Sequence, residues 1–77
     1  MDSFEPKKLA LIRILQILEH YTDCDHPLKH DDIVKKLESD YSITVERKAI
    51  GRNITLLQEA GYDIETTKKG SYLNSRL

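Results

Sequence analysis

The chain has 77 residues, 39% hydrophobic and 32% charged, with a formal net charge of −1. It suits one small domain, too apolar for a disordered chain and too short to bury a large core without efficient packing or a partner. No apolar run approaches the roughly 20 residues of a membrane span, Met1 to Leu9 lacks the basic-then-apolar layout of a secretory signal, and the single cysteine, Cys24, excludes an internal disulfide framework. The expected location is cytoplasmic, with no membrane partner.

The first helix is expected from Pro6, which suits a first turn because its missing N–H costs nothing there. In KKLALIRILQILEHY, Leu11, Ile14, Leu15, Leu18 and Tyr21 share one face. Leu9, Ile12 and Ile17 widen that stripe beyond what one side of a small core uses. Either several elements wrap this helix, or part of it meets another subunit. The polar run TDCDH, Thr22 to His26, ends the helix, and Pro27 biases His26 to an extended backbone. Leu28 then reads as a strand of one or two residues.

A second helix is expected from about His30 to Ser39. Asp31 and Asp32 complement the dipole in its first turn, and Ile33, Val34 and Leu37 form its apolar face. Lys29 occupies the place where serine or threonine would cap better. Tyr41 and Ile43 fall in the connection and are expected to tuck into the core.

The stretch Thr44 to Gly61 reads as the third helix, capped by Thr44 or Glu46 and ended by Gly61 as a left-handed C′ residue. Ile50, Ile54 and Leu57 form its buried stripe. Lys48, Arg52, Thr55 and Glu59 fall on the opposite side, with Gly51 on the flank, so the cations gather on the outer face of the first two turns. After Gly61 the period changes to two. Tyr62, Ile64 and Thr66 alternate with polar residues, Lys68-Lys69-Gly70 reads as a turn in which Gly70 supplies a positive φ, and Ser71 to about Ser75 returns. Ile64 and Tyr72 are expected to pack near the first or third helix.

Three helices and a hairpin make a winged helix-turn-helix, mainly α with a small β-hairpin. In that fold the third helix enters the major groove and the wing lies on the neighbouring backbone. The charge distribution agrees: residues 1–43 hold six Lys/Arg against nine Asp/Glu, and residues 44–77 hold six against four. The expected partner is double-stranded DNA. Arg52 is the leading contact, because a guanidinium reads guanine bidentately or clamps a phosphate; otherwise it pairs with Glu59 or Glu46. Lys48 and Thr55 flank it, and Arg47 points sideways toward a phosphate. Gly51 either permits close backbone approach or merely weakens the helix. Lys68 and Lys69 either touch the backbone or protect the hairpin edge. Asn53 turns toward the protein, tying the helix to its neighbour.

His20, Cys24, His26 and His30 match no structural zinc spacing, and Asp23 and Asp25 disfavour a Cys24 thiolate. With no phosphate loop or nucleophile elbow, the expectation is a protein that is not an enzyme and uses no metal or cofactor. The rival reading is a winged helix that docks on another protein through the same surface.

The segment VERKAIGRNITLLQEAGYDIETTKKGSYL also resembles the N-terminal winged helix of WYL-domain transcription regulators, similar to the DeoR-type helix-turn-helix. The residues that carry the likeness are Arg47, Ile50, Arg52, Asn53, Ile54, Leu57, Gly61, Tyr62 and Ile64. DCDHPLKHDDIVKKL is similar to the family's lead-in to its second helix, and SYLNSRL to its exit from the wing. Ala49 and Gly51 depart from the family pattern of threonine and a larger or basic residue. The resemblance implies a bacterial-type transcription regulator whose sensing domain lies elsewhere or has been removed. Residues 1–77 are then the DNA-binding head of a longer chain. It would pair with a second copy through Leu9, Ile12 or Ile17 of the first helix, or through the region after residue 77.

Overall fold

The computed structural model describes residues 6–74, in which three helices precede an antiparallel hairpin, the layout of a winged helix-turn-helix. Helix α1 spans Pro6–Tyr21, α2 His30–Tyr41 and α3 Arg47–Glu59; strands β1 and β2 span Ile64–Thr67 and Gly70–Leu73. The core joins Ile14, Ile17 and Leu18 of α1, Ile33 and Leu37 of α2, Ile50, Ile54 and Leu57 of α3, and Ile64 of β1.

Helix α1 packs against α2, α3 and β2 at once, so its buried stripe is broad. Ile17, expected among the excess apolar residues, is fully buried, and Leu9 is half-buried; only Ile12 of the three stays exposed, at 52%. Tyr21, expected on the buried face, is instead 48% exposed. It is the last helical residue, beyond the core layer, and the Lys36 ammonium lies 4.0 Å from its ring centroid. At the other end of the α1–α2 contact the Arg13 guanidinium lies 4.3 Å from the centroid of Tyr41.

Helix α2 runs past Ser39 to Tyr41, so Tyr41 belongs to the helix and not to the connection. The closure explains the extra length. Ser42 adopts φ +57°, its N–H donates to the Glu38 carbonyl at 3.1 Å, and the Ile43 N–H donates to the Leu37 carbonyl at 3.0 Å. This is a left-handed helix end with serine where glycine is usual. Helix α3 starts later than Thr44, because Ile43 and Val45 both pack on the core. Residues two apart reach the same side only in extended chain. Glu46 is the N-cap, still extended, and its side chain makes no capping hydrogen bond. At the far end Gly61 takes φ +109°, with the Gly61 N–H on the Gln58 carbonyl and the Tyr62 N–H on the Leu57 carbonyl, both at 3.0 Å. That pair of bonds is the expected glycine-terminated Schellman end.

In the hairpin Ile64 pairs with Leu73, Glu65 with Tyr72, Thr66 with Ser71 and Thr67 with Gly70. Lys68 and Lys69 keep negative φ, and Gly70 absorbs the positive φ at +137°, as when a type I turn is followed by a left-handed glycine. Ile64 and Leu73 face the core. Tyr72 stands on the opposite face, a correction to its expected packing near α1 or α3; alternation along β2 sends neighbours Leu73 and Tyr72 to opposite sides.

Leu28 adds a third, one-residue strand: its N–H donates to the Ser71 carbonyl at 2.9 Å and its carbonyl accepts from the Ser71 N–H at 2.7 Å. A Cβ on Gly70 would lie 2.5 Å from the carbonyl carbon and oxygen of Leu28, so glycine is required there for space as well as for φ. Thr22 adds a tether. Its hydroxyl donates to the Leu18 carbonyl at 2.6 Å and accepts from the Leu73 N–H at 3.0 Å. The Gln58 side-chain amide donates to the Ile64 carbonyl at 2.8 Å and joins α3 to β1.

Thr22→Val keeps the shape and strands the Leu73 N–H, so it should cost about 1–2 kcal/mol in urea unfolding, while Thr22→Ser should cost less. An unchanged midpoint for Thr22→Val would remove the tether from the account. Gly70→Ala meets backbone atoms that no rotamer change can clear and should cost more than about 2 kcal/mol. Gly61→Ala, with open space around it, should cost only about 1 kcal/mol, the strain of a left-handed alanine. Equal losses would show that the Leu28 contact yields.

Candidate nucleic-acid interface

The core decides which side of α3 is free. Ile50, Ile54 and Leu57 are buried, and at about 100° per residue that turns Lys48, Arg52, Thr55 and Glu59 outward, all exposed. Lys48 and Arg52 lie one turn apart, and neither forms an ion pair among the described residues. The alternative pairing of Arg52 with Glu46 or Glu59 is therefore not adopted. Thr55 donates to the Gly51 carbonyl at 3.1 Å, which fixes its hydroxyl against its own helix.

Arg47 stands on the flank facing α2, where its Nε lies 3.5 Å from Asp31 Oδ1. Both side chains are largely exposed, 73% and 65%, so the pair is weak and easily exchanged for another anion. The sequence marks Asp31 only as a dipole partner of α2, because pairs separated by a loop have no signature in a helical pattern. Gly51 sits on the same flank. A Cβ there would meet only His30 Cε1, at an ordinary 3.6 Å, so the position faces α2 and no neighbour demands glycine. Asn53 donates from Nδ2 to the Ala49 carbonyl at 2.8 Å; it bonds its own helix, and the expected tie to a neighbouring element is corrected accordingly.

The first turn of α3 is electrostatically unfavourable for the helix itself. Arg47 and Lys48 occupy it, it holds no acidic residue, and Glu46 makes no side-chain cap. Cations and uncapped N–H groups at a helix N-terminus raise the local positive potential, which favours an incoming anion.

Lys68 and Lys69 are both exposed at the tip of the hairpin. They line a shallow concavity of about 420 Å³ with Cys24, Asp25, Pro27, Thr67 and Tyr72. None of those residues belongs to α3, so this concavity is built without the helix cations. The turn is held by Thr67, whose hydroxyl accepts from the Lys69 N–H at 3.1 Å and donates to the Gly70 carbonyl at 3.0 Å. The loop beside it is shaped by Asp23, which accepts from the Asp25 N–H at 2.8 Å and bonds His26 Nδ1 at 2.9 Å. The bond between them holds the Asp23 carboxyl below its ordinary range and the His26 imidazole above its own. Burial, then Glu65, pushes the Tyr72 phenol up.

Sequence reasoning missed Leu56, which is 52% exposed on the outer flank of α3 beside Arg52. Its signal was available: it lies about 100° from its buried neighbour Leu57, off the apolar stripe. Among the described residues no group of three or more His, Cys, Asp or Glu side chains is placed to hold a metal ion, and no helix is long and apolar enough to cross a membrane.

Because nothing crowds Gly51, Gly51→Ala should raise stability by about 0.5–1 kcal/mol through helix propensity alone, read from the thermal midpoint. Destabilisation would show that α2 and α3 cannot accept the methyl group at His30. Compared with known proteins, the chain matches no family model, no curated protein and no solved structure.

Proposed function

We propose that this domain binds double-stranded DNA sequence-specifically, as the DNA-binding head of a bacterial-type transcription regulator, with α3 in the major groove and the hairpin on the neighbouring backbone. The observation that carries the reading is the pair Lys48 and Arg52. They are exposed one turn apart on the outer face of a helix whose other side is held by the core. Arg52 takes the base contact, because a guanidinium matches guanine O6 and N7. Lys48 and Arg47 contribute phosphate contacts, and Arg47 exchanges Asp31 for the phosphate. Lys68 and Lys69 supply the sequence-independent contact of the wing. Cytoplasmic location, with no enzymatic activity and no cofactor, belongs to the same reading. So does pairing of two heads, in which Ile12, exposed at 52%, is the one of Leu9, Ile12 and Ile17 left open to meet a second copy. Joining two heads gains from effective concentration, by about 10²–10⁴.

The net charge of −1 favours the rival reading, a winged helix that docks on protein through α3. Selection of bound sequences from random duplex DNA, followed by titration at fixed salt, separates the two. Arg52→Ala should weaken the selected duplex by about 1–3 kcal/mol and relax preference at one position. Lys68→Ala or Lys69→Ala should weaken all sequences alike and lower the salt slope by about one. Asp31→Asn should tighten binding by releasing Arg47. Unchanged specific binding in Arg52→Ala would sink the recognition assignment.

A further inference from the structure

Leu56 is the one large apolar side chain exposed on α3, and its neighbours decide what it meets. It follows Arg52 by four residues, which sets it about 40° around the helix and about 6 Å along it. Its side chain leans back toward the helix N-terminus, as long side chains in helices do, and so covers the level of Arg52 and Asn53. Asn53, the other group on that flank, spends its amide on the Ala49 carbonyl. On the opposite flank Gly51 faces His30 of α2. Leu56 is thus the side chain left to cover the open flank of Arg52.

An isolated leucine whose charged neighbours one turn away are Arg52 and Glu59 is a poor centre for protein docking, since charged residues are depleted from the cores of such interfaces. Arg52 one turn before it and Lys48 two turns before it put positive charge on its N-terminal side, which suits a polyanion. The major groove offers one apolar group on its base edges, the thymine 5-methyl. Resting on the DNA-binding reading above, we propose that Leu56 is a specificity-determining residue that buries a thymine methyl beside the base read by Arg52. A separation of about 6 Å is between one and two base steps of about 3.4 Å, so the thymine lies one or two base pairs from the guanine.

The test replaces thymidine by deoxyuridine, one position at a time, in the duplex recovered by selection, which removes only the methyl group. The 77-residue chain should bind the duplex about fourfold more weakly when uracil stands at one position, one or two base pairs from the pair whose preference Arg52→Ala relaxes; that factor corresponds to one buried methyl group. Leu56→Ala should bind the thymine duplex about as weakly as the wild-type chain binds the uracil duplex, and should not distinguish the two. Leu56 is half exposed, so the variant should keep its thermal midpoint; Leu56→Met, which retains an apolar side chain, should restore part of the discrimination. Indifference of the wild-type chain to uracil everywhere, with Arg52 dependence intact, overturns the role of Leu56 and leaves the DNA-binding reading standing. A uracil penalty unchanged in Leu56→Ala also overturns it. Absence of any selected duplex overturns both. Loss of self-association in Leu56→Ala, with DNA binding untouched, would instead assign Leu56 to a contact between copies.

Discussion

The hairpin depends on two hydrogen bonds between Leu28 and Ser71. A two-stranded hairpin is marginal in water by itself, and this one has only four residues in each strand. The Leu28 bridge makes β2 the central strand of a three-membered edge, and Gly70 permits the close approach because it has no side chain. Ser71, fully buried, satisfies its hydroxyl on Thr66 at 3.2 Å. Thr22 and Gln58 then join the hairpin to the ends of α1 and α3. The position of Lys68 and Lys69 follows from these anchors: they cap a turn whose base is bonded to three helical or loop segments.

The same economy appears in α3. Three residues, Ile50, Ile54 and Leu57, hold the helix to the core, which leaves most of its circumference to solvent. A helix so placed is stable through packing, so its exposed face is free to carry residues that do little for the helix itself. Two cations in the first turn, an N-cap without a side-chain bond and a glycine that no neighbour demands all weaken α3 locally. Residues that break local rules without a packing reason are expected at functional surfaces, which agrees with the role proposed for α3.

Acidic groups temper both basic clusters. Asp31 lies against Arg47, and Asp25 lines the concavity that Lys68 and Lys69 also line. With an overall charge of −1, long-range attraction to a polyanion is weak, so the proposed DNA contact rests on a few well-oriented cations. Binding of that kind would be sensitive to salt and would gain from a second linked head.

The sequence by itself determined the order of the elements. The stripe of Ile50, Ile54 and Leu57, the change to period two after Gly61 and the two-lysine turn before Gly70 are local patterns, and local geometry enforces them. Helix periodicity also determined that Lys48 and Arg52 face away from the core. What depended on contacts between distant residues was decided only in the tertiary structure. Ile17 is buried because three elements surround α1, and Tyr21 is exposed because α1 ends beyond the core layer. The start of α3 moved to Arg47 because Ile43 and Val45 both reach the core from an extended chain. The pairing of Arg47 with Asp31, the bridge from Leu28 to Ser71 and the tether from Thr22 to Leu73 join residues 16, 43 and 51 positions apart. No periodicity links such residues, because their proximity exists only after the helices have packed.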